Sequence, residues 1–238
     1  MNRTKKTKYR PPFPIIYEDE DIIIIDKPVG LLAVPIPRSR AKNARDLLNH
    51  YLEARKQKAI IVHRIDRYTS GLMVFAKNKK AHGNLVKQFL AHTPKRVYLA
   101  LVRGVPESRT GELMHYLKLT KTGFRQEIVR GENEGGTLAV TRYKVVEDFS
   151  DAALLEVELD TGLKNQIRVQ LNAAGHPIIG DRHYVRSESR EKLINHQALH
   201  AYRLGFIHPR RGEFVDFEAE LPADFLKVLQ RFRSSKKR

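Results

Sequence analysis

The run Ile22-Ile23-Ile24-Ile25 follows a shorter apolar stretch at Ile15 to Tyr17, with the acidic Glu18-Asp19-Glu20 between them. This pattern predicts a strand pair, Ile15 to Tyr17 and Asp21 to Asp26, and Lys27-Pro28-Val29-Gly30 stops the second strand. Ala41 to Arg55 places Leu47, Leu48, Tyr51 and Leu52 on one helical face. Leu72 to Ala76 reads as a short buried strand. Asn78 caps a helix running to about His92, with Leu85 and Phe89 one turn apart. Strand patterns return at Arg96 to Val102, Thr137 to Val146 and Ala152 to Leu159. Arg130 to Gly136, rich in Gly and Glu, lies between two strand-like segments and reads as a hairpin loop. Gln166 to Ala174 is predicted helical, ended by Gly175 with Pro177 soon after. Ala201 to His208 and Glu213 to Phe217 form a hairpin around Pro209 to Gly212, and Pro222 opens a last helix through Phe232. Long strands joined by hairpins, with helices between, predict an α+β domain around a largely antiparallel sheet.

At 238 residues and 41% hydrophobic, the chain can bury a full core. It contains no linker or repeat, so residues 11 to 233 are expected to form a single domain. Charge adds a partner to this picture. There are 44 Lys+Arg against 27 Asp+Glu, a formal net charge of +17, so an anionic polymer is the first candidate. Much of the excess sits at the ends. Arg3, Lys5, Lys6, Lys8 and Arg10 form a basic arm over residues 1 to 10, and the last 14 residues carry Lys227, Arg231, Arg233, Lys236, Lys237 and Arg238 without an acid. Residues 234 to 238 are read as a basic tail, and both ends are either solvated arms or phosphate-binding segments. The absence of Cys excludes a disulfide framework and a thiolate metal site, which suits a reducing compartment. No apolar run is long enough to cross a bilayer, and no apolar stretch follows the basic N-terminus, so a soluble cytoplasmic protein is expected.

The candidate chemistry lies at His63-Arg64-Ile65-Asp66-Arg67-Tyr68-Thr69-Ser70-Gly71. A carboxylate among cations stays ionised and can act as nucleophile or base, while the cations can hold phosphates. Read alone, Asp66 is better taken as a structural ion pair or a turn cap, and the residues after it change that balance. The apolar Leu72 to Ala76 beyond it would anchor the loop on a core strand, as reactive loops are commonly anchored.

The segment resembles the central motif of RNA pseudouridine synthases of the RluA family: His-Arg-Leu-Asp, two variable residues, then Thr-Ser-Gly. Further similarities occur in order. Tyr17 to Leu31 is similar to the family's opening strand pair. Lys95 to Val102 resembles its Lys-x-Tyr-x-Ala segment with one extra residue after the Lys. Thr161-Gly162 with Gln166-Ile167-Arg168-Val169 is similar to the third motif, and Gly175 to Asp181 and Leu199 to Leu204 resemble the C-terminal segments.

The resemblance implies the pseudouridine synthase fold and conversion of a uridine in RNA to its C-glycoside isomer. It implies Asp66 as the nucleophile, Arg168 as its ion-pair partner, and Tyr98 lying against the uracil. Arg64 would enter the RNA stack where the target nucleotide has flipped out, which a buried glycosidic bond requires. His63, Arg67, Thr69, Ser70, Lys27, Asn165 and Gln166 are the further expected RNA contacts, Lys27 only where its turn faces the cleft. The isomerisation is redox-neutral, so no cofactor or metal is expected; His196 and His200 share the i, i+4 spacing of helical metal ligands but are read as structural or RNA-contacting. The expected partner is a ribosomal or transfer RNA stem-loop, bound by a monomer. His176, Pro177, Gly180 and Asp181 read as a turn and strand start.

Two departures stand out. Where the family has Arg, His and His in its third motif, this chain has Leu163, Asn165 and Gln170, which puts substrate choice in question more than chemistry. Only 16 residues precede Tyr17, too few for the S4 RNA-binding module of many members, so the catalytic domain is expected to supply its own affinity. A noncatalytic RNA-binding protein on the same fold is the main alternative. A nucleoside hydrolase would need a second acid to activate water, and a metal nuclease a carboxylate cluster.

Overall fold

Four consecutive isoleucines fix the first half of the fold. In the computed structural model, which describes residues 9–123, 125–185 and 193–236, strand β1 (Ile15–Glu18) pairs antiparallel with β2 (Ile22–Lys27). Ile23 and Ile25 pack with Leu48 and Leu52 of helix α1 (Ala44–Leu52), whereas Ile22 and Ile24 pack with Ala81 and Leu85 of helix α2 (Lys79–Leu90). A strand covered on both faces needs an unbroken apolar run, and the isoleucines supply it. Asn43 and Asn78 cap the two helices, their side chains accepting from Asp46 N and Ala81 N at 3.0 and 2.9 Å. Helix α1 therefore starts three residues later than the periodicity alone suggests, at its cap.

Beyond β2 the sheet runs through β4 (Ser70–Ala76), β10 (Leu199–Ile207), β5 (Lys95–Arg103), β9 (Ala152–Leu159), β8 (Thr137–Asp148) and β6 (Thr110–Leu119) to β7 (Gln126–Val129). The short β3 (Ile60–Ile61) pairs β4, and β11 (Phe214–Glu218) pairs β10. β4 and β10 pair in parallel; the other strand pairs are antiparallel. At that junction a Cβ on Gly71 would lie 2.3 Å from the Ala201 carbonyl oxygen, and φ there is +109°. The glycine of Thr-Ser-Gly is thus required by close backbone approach. A second core joins β5 and β9 to helix α3 (Gln166–Ala173) and to helix α4 (Ala223–Lys236).

Three expectations change. Arg130 to Gly136 is not a hairpin loop: β7 and β8 flank β6 on opposite sides, so the loop crosses over β6. A Cβ on Gly136 would lie 2.8 Å from Tyr116 Cβ, which shows how closely it crosses. The last helix continues past Phe232 to Lys236, so the first part of the expected basic tail is helical; residues 237–238 and 1–8 lie outside the described residues. His196 and His200 do not share a helix: His196 Nε2 faces Asp224 at 2.8 Å, and His200 sits on β10. Among the described residues no group of His, Cys, Asp or Glu could hold a metal, and no helix is long and apolar enough to cross a membrane.

Candidate active site

Asp66 lies on the loop between β3 and β4, which is tied down from beneath. The Asp66 carbonyl accepts Thr69 N–H at 3.1 Å, and the Arg67 carbonyl accepts Gly30 N–H at 2.8 Å and Lys27 Nζ at 3.2 Å. Lys27 is fully buried and also donates to the carbonyls of Pro28 and Leu31, each at 3.0 Å. Burial pulls its pKa down to about 7, against the pull of Asp66 and Asp26. Three carbonyls match the three N–H bonds of an ammonium, and a neutral amine would turn a lone pair on one of them. Lys27→Met should therefore lower stability by at least about 2 kcal/mol, because buried acceptors lose their donor; urea unfolding measures it.

Above this loop opens a cleft of about 230 Å³ whose walls include Arg64, Asp66, Tyr98, Leu163, Asn165 and Arg168. An apolar cavity of about 150 Å³ admits benzene, so one pyrimidine ring fits here. Arg168 Nη1 donates to Asp66 Oδ2 at 2.8 Å, bridging 102 positions of sequence. The rest of the guanidinium is held by Asp181, with Nε to Oδ2 at 2.6 Å and Nη2 to Oδ1 at 2.9 Å. This fork is buried, Arg168 being 5% and Asp181 2% exposed. Burial opposes both charges, but their contact prevails: Arg168 is held above its ordinary range and Asp181 below the carboxylate range. Asn165 Nδ2 adds a second bond to Asp66 Oδ2, at 2.6 Å.

Tyr98 stands on β5 at the cleft wall, and burial pushes its phenol up to about 12. It stays protonated at neutral pH and cannot serve as a phenolate base there. Two residues earlier, on the same strand face, Arg96 Nη2 donates to the Leu159 carbonyl at 3.1 Å. A Cβ on Gly162 would lie 2.4 Å from Arg96 Nη1, so this guanidinium underlies the Thr161-Gly162 turn.

The family profile described as RNA pseudouridylate synthase matches residues 21–173. The RNA pseudouridine synthase YlyB of Bacillus subtilis strain 168 is 37% identical over 226 residues, covering 93% of this chain and 73% of its own. The chain belongs to the RNA pseudouridylate synthase family. It is of the RluA type, an isomerase acting on RNA. Similar again is the ribosomal large subunit pseudouridine synthase D of Zymomonas mobilis, 37% identical over 226 residues, covering 90% of this chain and 70% of that one. The human RNA pseudouridylate synthase domain containing 4 structure shares the fold, with a TM-score of 0.75 at 24% identity and 92% of each chain covered.

Several residues of this synthase expected at the RNA are engaged inside the protein instead. Lys27 holds carbonyls, as described. Gln166, 2% exposed, bonds Thr161, Leu163 and Thr141 and so fixes the start of α3. Ser70 is buried, its hydroxyl 2.8 Å from His200 Nδ1. Burial lowers the His200 pKa to about 4, so the neutral ring accepts from Ser70 while Nε2–H donates to the Ala219 carbonyl at 3.2 Å. His63 accepts Val74 N–H at 3.1 Å and stacks on Phe89; burial drops its pKa to about 3. Thr69 Oγ1, also buried, accepts from Gln197 at 3.2 Å. Asn165 directs its amide to Asp66. Arg64 and Arg67 are exposed, Arg67 Nε donating to the Gly30 carbonyl at 2.8 Å.

Sequence reasoning missed Asp181 and Tyr184 as parts of the site. Asp181 carried a signal in Gly180-Asp181, read there as a turn; Tyr184 carried none. Of the three departures, Leu163 packs beside Val169 and Tyr184, and Gln170 is buried, bonding Leu113, Ala139 and Thr141.

Proposed function

We propose that this protein isomerises a uridine in structured ribosomal or transfer RNA, with Asp66 as nucleophile toward a nucleotide flipped into the cleft. The observation that carries the reading is an Asp66 carboxylate held by Arg168 in a cleft sized for one pyrimidine, with Tyr98 on its wall. The balance is internal to the substrate: the C1′–N1 bond breaks, C1′–C5 forms, the C5 proton is lost and N1 gains one. Addition of Asp66 to ribose C1′ releases uracil to turn, and addition to the ring achieves the same detachment. Both routes need one free carboxylate oxygen facing the nucleotide. Tyr98 stacks against the ring and, as a neutral phenol, offers a hydrogen bond during proton movement. Arg64 fills the gap left in the RNA stack, a planar cation offsetting part of the few kcal/mol lost on flipping. A ribosomal target is favoured by the similarity to ribosomal large subunit pseudouridine synthases D.

The test is incubation of purified protein with total RNA from cells lacking its gene, followed by pseudouridine mapping. New pseudouridine at one or a few positions supports the reading; binding without any new pseudouridine supports the noncatalytic alternative. The basic arm, whose residues 3 to 10 carry five cations, is proposed to raise affinity without reading sequence. Deleting residues 1 to 10 should weaken RNA binding and flatten its dependence on salt, measured by titration at several ionic strengths. Affinity unchanged across salt would refute a role for the arm.

A further inference from the structure

We infer that Asn165 and Tyr184 are positioning residues that leave Oδ1 of Asp66 as its reacting oxygen, an inference that rests on the synthase reading above. Asn165 immediately precedes α3, where an Asn side chain commonly turns back to cap the helix. Here it makes no capping bond, and its backbone is left-handed, with φ of 55°. The side chain points across the cleft instead, and Nδ2 donates to Asp66 Oδ2 at 2.6 Å. Arg168 Nη1 donates to the same oxygen at 2.8 Å. Oδ2 thus carries two charge-assisted bonds, while Oδ1 has no partner among the described residues and is not enclosed.

An amide has a donor end and an acceptor end, and the wrong end toward Asp66 would set oxygen against oxygen. Tyr184 decides between them. Its hydroxyl oxygen accepts the Gln126 backbone N–H at 2.9 Å, which leaves the hydroxyl hydrogen for Asn165 Oδ1, 3.4 Å away. With Oδ1 of the amide taken as acceptor, Nδ2 must face the carboxylate. The Tyr184 ring also lies beside the Arg168 guanidinium, whose carbon is 5.2 Å from the ring centroid. One tyrosine therefore steadies both donors to Oδ2. Burial raises the phenol's pKa above its ordinary value, so the hydroxyl hydrogen is present throughout the neutral range. The carboxylate cannot turn end for end without breaking two bonds, and Oδ1 stays aimed at the bound nucleotide.

The experiment compares kcat, KM and RNA Kd for the intact protein, Asn165→Ala, Tyr184→Phe and the double variant. Loss of alignment should lower kcat in Asn165→Ala by about 10- to 100-fold, with KM and Kd little changed. Tyr184→Phe keeps the ring and should lower kcat by about two- to tenfold, because the amide gains a wrong orientation without losing its donor. In the Asn165→Ala background Tyr184→Phe should add little, since the residues act through one path. A raised KM with kcat intact makes Asn165 an RNA contact and overturns the inference; so do independent, multiplying losses, and so does an Asn165→Ala enzyme as fast as the intact one. If Asn165→Ala does not fold, Tyr184→Phe alone still decides, because an unchanged kcat contradicts the relay. Intact protein that makes no pseudouridine on any RNA sinks the synthase reading itself, a result distinct from these.

Discussion

Asp66→Asn is expected to give a folded protein that binds RNA and forms no measurable pseudouridine. The substitution keeps size and shape, and Arg168 can still donate to the amide oxygen. What disappears is the negative charge on the oxygen that faces the cleft. Removing a nucleophile of this kind lowers turnover by at least about 10³-fold in well-studied enzymes, so the assay should read as a loss rather than a slowing. Circular dichroism and RNA titration establish that fold and binding persist. Residual turnover within tenfold of the intact protein would remove Asp66 from the nucleophile's role.

Asp181→Ala carries the second large effect, through stability as much as activity. Arg168 would keep its Asp66 contact but lose both bonds to Asp181, leaving a guanidinium only 5% exposed with most of its donors unmet. The backbone N–H groups of His183 and Tyr184, which both reach Asp181 Oδ1, would lose their acceptor as well. Breaking a buried ion pair from one side costs about 3–5 kcal/mol, which corresponds to a fall in Tm of roughly 6–20 °C for a chain of this size. Activity should drop with it, because Arg168 no longer has a fixed direction toward Asp66. The same pair sets an acid dependence. Burial alone would raise the Asp181 pKa, but the Arg168 bonds pull it below the ordinary value. Its contribution is therefore present above the unfolded carboxylate's pKa and is lost as pH falls through the lower folded value. Acid unfolding of Asp181→Asn should lack that component, and an acid transition identical to that of the intact protein would contradict it.

How far the sequence disclosed this arrangement varies by element. The isoleucine run, the Asn78 cap and the strand at Leu72 to Ala76 were legible because local pattern and burial agree there; the Asn43 cap was not, and the periodicity starts the first helix three residues too early. Strand β6 was not legible either, since it carries apolar side chains on both faces: Leu117 is buried while Met114 is 56% exposed. The pairing of Asp66 with Arg168 was readable only through resemblance, because the fold alone closes a gap of 102 residues. Asp181 escaped because its meaning depends on where the turn after Gly180 delivers it. At Gly180 a Cβ would lie 2.1 Å from the His196 carbonyl oxygen, a constraint invisible in sequence. Three of the expected RNA contacts share one setting. Lys27, Ser70 and Gln166 are polar residues inside a site, and polarity suggested exposure. Yet Lys27 ends the buried run of β2, on the same side as Ile23 and Ile25, and the carbonyls of two neighbouring loops supply its partners. A buried polar group is retained when its hydrogen bonds are complete, and each of these three completes them within the protein.

The account stands most directly on a pseudouridine map of cellular RNA from three strains: one with the intact gene, one with Asp66→Asn, and one without the gene. It predicts at least one position modified in the first strain and unmodified in the other two. Identical maps in all three would contradict it.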